Sequence, residues 1–296
     1  MTFQGLYTAL ITPFSNGEVD AKAFQALIDW QINEGVHGIV PCGTTGESPT
    51  LTSKEHEKVI ELAVEAANGR VPVMAGAGSN STIEAIEFTK HAKASGADAV
   101  LLVAPYYNKP TQAGIIAHYE AIANAVDIPQ FIYNIPGRSV IDINDDTLSV
   151  LANHPNIVGI KDATGDLARV ASLKQRVEDD FIFFSGEDST AVGFNAMGGT
   201  GCISVSGNVA PKACAELQAL CLKGDYVAAT ALADKLEPLH QAMFCETSPI
   251  PVKYALSVMG KCRGEIRLPL QEPTPEHQAD IHAVLHAQGL LSADAA

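Results

Sequence analysis

A closed (β/α)8 barrel with a C-terminal helical extension is the fold class the sequence predicts, and three observations point to it. Short apolar runs recur at intervals of roughly 20 to 35 residues, the pace of strand–helix units. Most of these runs are rich in Val, Ile and Leu and show little alternation, as strands buried on both faces should. Eight such units in one composition regime favour a closed barrel over an open doubly wound sheet, which would need a dinucleotide or phosphate fingerprint. Gly76-Ala77-Gly78-Ser79-Asn80-Ser81 has the first two glycines of that fingerprint and lacks the third, and no Gly-Lys-Ser/Thr phosphate loop occurs.

The runs occupy residues 6–11, 38–40, 71–75, 99–103, 130–133, 157–160, 181–184 and 202–205, each followed by polar or Gly/Pro residues. Between the runs lie segments of helical periodicity, clearest at 21–33 and 54–67. The second opens on Ser53-Lys54-Glu55-His56-Glu57, which supplies a serine cap and early carboxylates. After the eighth run about ninety residues remain, more than one closing helix needs. Residues 225–244 and 275–288 have helical patterns, and Pro249-Ile250-Pro251 opens a third helix between them. The expected organisation is a catalytic barrel over residues 1–224 and a helical appendix packed on it over 225–296, with no flexible linker.

The 296 residues carry 19 Lys+Arg against 34 Asp+Glu, a net charge of −15, so phosphate backbones are repelled and nucleic acid is not an expected partner. With 47% hydrophobic and 18% charged residues the chain can bury a large core without a disulfide or metal staple. The longest uncharged stretch, 189–211, contains five glycines and is no lipid-spanning helix. The start, Met1-Thr2-Phe3-Gln4-Gly5, lacks the cationic region of a signal peptide, and a cytoplasmic location is expected. Cys42, Cys202, Cys214, Cys221, Cys245 and Cys262 show no paired or zinc-ligand spacing and read as reduced thiols.

Reactive groups in a parallel barrel belong at the C-terminal strand ends and in the loops just beyond. The sixth run, Ile157-Val158-Gly159-Ile160, terminates in Lys161. A lone strand-end lysine ordinarily snorkels to solvent, but its neighbours here change the reading. The fifth run ends in Tyr133, followed by Asn134-Ile135-Pro136-Gly137-Arg138, and adjacent strands lie ~4.8 Å apart. The second ends in Pro41-Cys42-Gly43-Thr44-Thr45-Gly46-Glu47, and the fourth in Pro105-Tyr106-Tyr107-Asn108. One amine, tyrosine and threonine hydroxyls and a guanidinium thus converge on one barrel face without a metal-ligand set. A lysine amine is nucleophilic when neutral, and removal from water disfavours the ammonium form. Such an amine forms a Schiff base with a ketone, an electron sink for carbon–carbon bond formation. Tyr133 can relay the protons if a second hydroxyl such as Thr44 links it to a donor, and Arg138 can clamp a carboxylate at two points.

Those residues carry a family resemblance that runs from end to end. Gly43-Thr44-Thr45-Gly46-Glu47, Tyr133-Asn134-Ile135-Pro136-Gly137-Arg138 and Gly159-Ile160-Lys161-Asp162-Ala163-Thr164-Gly165 resemble the motifs of the dihydrodipicolinate synthase family. The resemblance implies condensation of pyruvate with L-aspartate 4-semialdehyde in lysine biosynthesis, with Lys161 as the Schiff-base lysine and no cofactor. It also implies a proton-relay triad of Tyr133, Thr44 and Tyr107, the last reaching in from a neighbouring subunit of a homotetramer built as a dimer of dimers. Thr45 would hold the pyruvate carboxylate, Arg138 would receive that of the semialdehyde, and backbone groups of Gly186 and Ile203 would line the pocket. In lysine-regulated members an effector lysine binds between subunits at positions matching Ser48, His56, Asn80, Glu84 and Tyr106. This chain departs from some of them with Pro49 and Ser53.

The lysine motif alone also fits sialic-acid lyases and keto-deoxy sugar-acid aldolases, which generally lack an arginine at the position of Arg138. From other classes, a metal-assisted barrel aldolase would need a His/Asp/Glu cluster at strand ends, and a non-catalytic barrel could bind a small carboxylate. His282 and His286 stand four apart on a helix without a third ligand, so no metal site is assigned. Glu187 and Asp188 follow the seventh run and read as ordinary loop carboxylates.

Overall fold

A computed structural model describes residues 2–291. Its eight barrel strands are β1 (Gly5–Ala9), β2 (Gly38–Val40), β3 (Met74–Gly76), β4 (Ala99–Val103), β5 (Gln130–Asn134), β6 (Ile157–Asp162), β7 (Ile182–Ser185) and β8 (Gly201–Ser204). They pair in parallel in the order β2-β1-β8-β7-β6-β5-β4-β3. A parallel bridge between Ile39 and Val73 closes the ring, supported by Ile39 N–H donating to the Pro72 carbonyl at 3.0 Å. The fold is the TIM barrel that the apolar runs predict.

Differences from the expected boundaries have local causes. The third strand starts later than residue 71 because Pro72 has no N–H to give to a ladder. The sixth runs on to Asp162, so Lys161 lies inside a strand, with Tyr133 and Phe184 as its flanking register partners. Strand β8 opens on Gly201, where a Cβ would stand 2.1 Å from the Gly5 carbonyl oxygen, so only glycine lets β1 and β8 approach. The helix Ser53–Ala67 is capped by Thr52 and not by Ser53. From Thr52, Glu55 stands at the third helical position, and the two exchange the reciprocal bonds of a capping box. A two-stranded ribbon, Phe14–Ser15 against Glu18–Val19, fills the first loop and was not expected from the sequence.

Successive strand residues face opposite sides, which explains why the runs read as continuously apolar. Phe131 and Tyr133 point into the barrel beside Tyr7, Phe184 and Ile203, whereas Ile132 packs outward under the helices. Tyr7 meets Phe184 edge-on at 5.0 Å between ring centroids. Beyond the barrel, helix Tyr226–Ala242 packs on Pro211–Leu222 and on Pro275–Ala287, and Ile250–Val258 lies against Pro275–Ala287. Among the described residues no helix is long and apolar enough to cross a membrane, and all six cysteines are free thiols.

Candidate active site

The register of β5 and β6 sets Tyr133 directly beside Lys161, and the lysine Nζ stands 4.3 Å from the centre of the phenol ring. Both side chains point into the C-terminal mouth of the barrel and are about 95% buried: exposures are 5% for Lys161 and 6% for Tyr133. They border a cavity of about 50 Å³ shared with Thr44, Thr45, Arg138, Gly186 and Glu187. Ala9, Val40, Leu101 and Val205 supply its apolar wall. Among the described residues no carboxylate pairs with Lys161 Nζ, whereas the other buried lysine, Lys253, is paired with Glu47.

Thr44 and Thr45 sit on a tight turn after β2. Gly46 N–H donates to the Gly43 carbonyl at 3.1 Å, and Glu47 N–H donates to that of Thr44 at 3.1 Å. The Thr12 hydroxyl closes on the Gly46 carbonyl at 2.7 Å. Arg138, on the short helix Pro136–Ser139, donates from its guanidinium to the Ser248 carbonyl at 2.9 Å. Gly186 N–H donates to the Asp162 carbonyl at 2.7 Å. A Cβ on Gly186 would lie 3.1 Å from Lys161 Cε.

The structure thus brings together Lys161, Tyr133, Thr44, Thr45, Arg138 and Gly186. Ile203 is buried in the barrel interior and does not border the cavity; Val205, just beyond the end of β8, does. Tyr107 stays apart: it is 89% exposed, with a left-handed φ of 70°, and does not reach the cavity of its own chain.

The pair read as ordinary loop carboxylates divides in two. Asp188 is buried and accepts hydrogen bonds from the Ser204 hydroxyl and from the N–H groups of Val205 and Ser206 (3.0 Å each), so it pins the end of β8. Glu187 borders the cavity. Burial raises its carboxyl above the usual range, while the charges of Lys161 and Arg138 draw it back. Its place immediately after a strand end was the signal available in the sequence. Ser248, also on the cavity wall, had none, because it comes from the extension.

Of the second residue set, Asn80 donates from its side-chain amide to the Tyr106 carbonyl at 3.2 Å, and the Ser79 hydroxyl bonds the Glu84 carboxylate. Ser48 opens a short 3-10 turn, Ser48–Thr50. His56 is stacked on Phe88 at 4.1 Å, its Nδ1 without a partner. Burial holds His56 down to about 4 from an ordinary 6.5, and His118 likewise to about 4. Both histidines therefore bind protons in the unfolded chain between pH 6.5 and 4 while staying neutral in the native one, so stability falls on acidification through that window. From pH 7 to pH 5 each should remove about 2 kcal/mol, lowering the melting temperature. His56→Gln should roughly halve that acid loss; a melting temperature level from pH 7 to 5 would refute the expectation.

Comparison with known proteins places this geometry. The model of the dihydrodipicolinate synthetase family matches residues 2–288. The 4-hydroxy-tetrahydrodipicolinate synthase of Jannaschia sp. (strain CCS1) is 58% identical, across 98% of this chain and 100% of its own. The dihydrodipicolinate synthase of Acinetobacter baumannii, solved in complex with pyruvate, superposes with a TM-score of 0.96 at 46% identity, covering 98% of this chain and 100% of that one. That of Cyanidioschyzon merolae, solved with lysine bound, gives 0.95 at 38% identity over 98% and 99%. The likeness runs through the barrel and nearly all of its extension in both sequence and backbone, and the chain belongs to the dihydrodipicolinate synthetase family of enzymes.

Proposed function

We propose that this enzyme condenses pyruvate with L-aspartate 4-semialdehyde to 4-hydroxy-tetrahydrodipicolinate through a Schiff base on Lys161, in the cytoplasmic route to diaminopimelate and lysine. Lys161 Nζ attacks the keto carbon of pyruvate, and the carbinolamine loses water to give an iminium. Loss of a methyl proton gives an enamine, which adds to the aldehyde carbon of the semialdehyde. Its amino group then closes the ring on the former keto carbon and releases Lys161. Tyr133 moves the protons, with Thr44 and the Tyr107 of a second subunit completing the relay. Thr45 holds the pyruvate carboxylate, and the backbone of Gly186 lines its pocket, with Ile203 buried in the barrel interior. Arg138 takes the carboxylate of the semialdehyde.

The observation that carries this reading is the buried Lys161 amine, in no ion pair among the described residues, 4.3 Å above the Tyr133 ring at a cavity that Thr44, Thr45 and Arg138 also border. Borohydride reduction with pyruvate should leave a stable adduct on Lys161, and addition of the semialdehyde should give product. Product formed with Lys161 unmodified in reduced digests would overturn the reading. Arg138 favours the synthase over a sialic-acid or keto-deoxy sugar-acid lyase, which a direct comparison of turnover separates. The exposed Tyr107 supports a working unit of at least a dimer, within a homotetramer.

Lysine is proposed as a feedback inhibitor, with its ammonium on Glu84, its carboxylate on Asn80 and Tyr106, and Ser48 and His56 completing the site. The bond between Asn80 and Tyr106 and the lysine-bound relative support this placement. Millimolar lysine should lower the steady-state rate, and a rate unchanged by it would dispose of the proposal.

A further inference from the structure

The most buried ion pair among the described residues lies outside the cavity, next to the Thr44–Thr45 turn. Glu47 follows the Thr44–Thr45 turn, and its side chain is 1% exposed, as is that of Lys253 from the helix Ile250–Val258. Lys253 Nζ donates to Glu47 Oε1 across 206 residues of sequence. The second oxygen, Oε2, accepts from Arg267 N–H at 3.0 Å. The Lys253 ammonium also lies 4.0 Å from the centre of the Phe14 ring. Glu47 itself has φ of 55°, in the left-handed region that a residue with a Cβ enters only where its surroundings over-determine it. Its N–H donates to the Thr44 carbonyl at 3.1 Å. The backbone of the threonine turn is thus bonded directly to a residue whose side chain is gripped by the extension.

Buried ion pairs are poor sources of stability, since desolvation offsets most of the attraction, but they hold geometry, and loss of one partner leaves the other charge stranded. Burial pushes Lys253 toward the neutral form, and the Glu47 carboxylate is foremost among the groups that pull it back. We propose that Lys253, acting through Glu47, is a positioning residue for the pyruvate subsite, holding the Thr44–Thr45 turn so that its hydroxyls face the cavity of Lys161. The proposal rests on the reading that Thr44 and Thr45 handle pyruvate, and makes the helical extension a working part of the site.

The test uses the full-length enzyme and three variants: Lys253→Met, Glu47→Gln and the two combined. Lys253→Met should lower kcat/KM for pyruvate, and the rate of borohydride trapping, by about 10²-fold, as expected for misplacement of a positioning group. KM for the semialdehyde should change far less. Amide hydrogen exchange should accelerate over residues 43–48 and stay unchanged over 157–162. The double substitution removes the same link and should lose no more than Lys253→Met alone, whereas recovery to wild-type pyruvate kinetics would show that a stranded charge and not positioning caused the loss and would overturn the proposal. Wild-type trapping by Lys253→Met would overturn the proposal, as would equal losses for both substrates with faster exchange throughout the barrel. Should Lys253→Met fail to fold, Glu47→Gln keeps the shape of the side chain but only one acceptor oxygen, so it loosens the same link and should show the same pattern; unaltered pyruvate kinetics would overturn it. If the wild type forms no pyruvate adduct the proposed function falls, and exchange over residues 43–48 alone then supports or refutes the positioning role.

Discussion

Lys161→Ala is expected to lower turnover by at least about 10⁴-fold, the scale of losing a covalent nucleophile, while the protein remains folded. Lys161 lines the cavity, and among the described residues no carboxylate forms an ion pair with it, although its charge draws down the carboxyl of Glu187. Truncation therefore removes some packing but strands no buried partner, so the stability change should stay near 1 kcal/mol. Truncation of Lys253 would differ in kind, because Glu47 would be left charged and dry. Steady-state rates alongside thermal melts check both halves of the expectation. Substantial residual turnover in a folded Lys161→Ala protein would refute the covalent mechanism.

Gly186→Ala is the second large effect, and a single methyl group causes it. Gly186 does not occupy the left-handed region, so alanine is acceptable to the backbone and only space forbids it. The added Cβ would stand 2.7 Å from Ala163 Cβ, 3.1 Å from the Asp162 carbonyl oxygen and 3.1 Å from Lys161 Cε. All three atoms belong to β6 or the residue following it, and Gly186 N–H is bonded to that same Asp162 carbonyl. The methyl must therefore displace the strand end that carries the amine, or the amine's own stem. A shift of that size should cost about 10²-fold in kcat/KM and slow borohydride trapping, with little change in melting temperature. Wild-type trapping would show that the strand end yields without moving Lys161.

Much of this site is legible along the chain because it is built on strand ends. Tyr133 and Lys161 close two apolar runs, and Thr44, Thr45 and Arg138 stand within a few residues of theirs, so local pattern locates each of them. The resemblance then supplies roles that spacing could not. Glu187 stands just as close to a strand end yet reads as an ordinary loop carboxylate, since a carboxylate in a loop has no local mark that separates a cavity wall from solvent. Asp188 is harder still: its work is to accept bonds from Ser204, Val205 and Ser206, sixteen or more residues away.

What the sequence determined by itself is therefore the periodic part of the molecule: eight strands buried on both faces, their order in the chain, and the residues at their ends. Periodicity expresses burial, and burial on two faces leaves a readable run of Val, Ile and Leu. The tertiary structure alone decided how the C-terminal extension enters the site, with Ser248 fixing Arg138 and Lys253 fixing Glu47. Those are single polar contacts between residues 110 and 206 positions apart, and they obey no period. Their strength comes from exclusion of water, a property of the packed molecule that no local stretch of residues possesses.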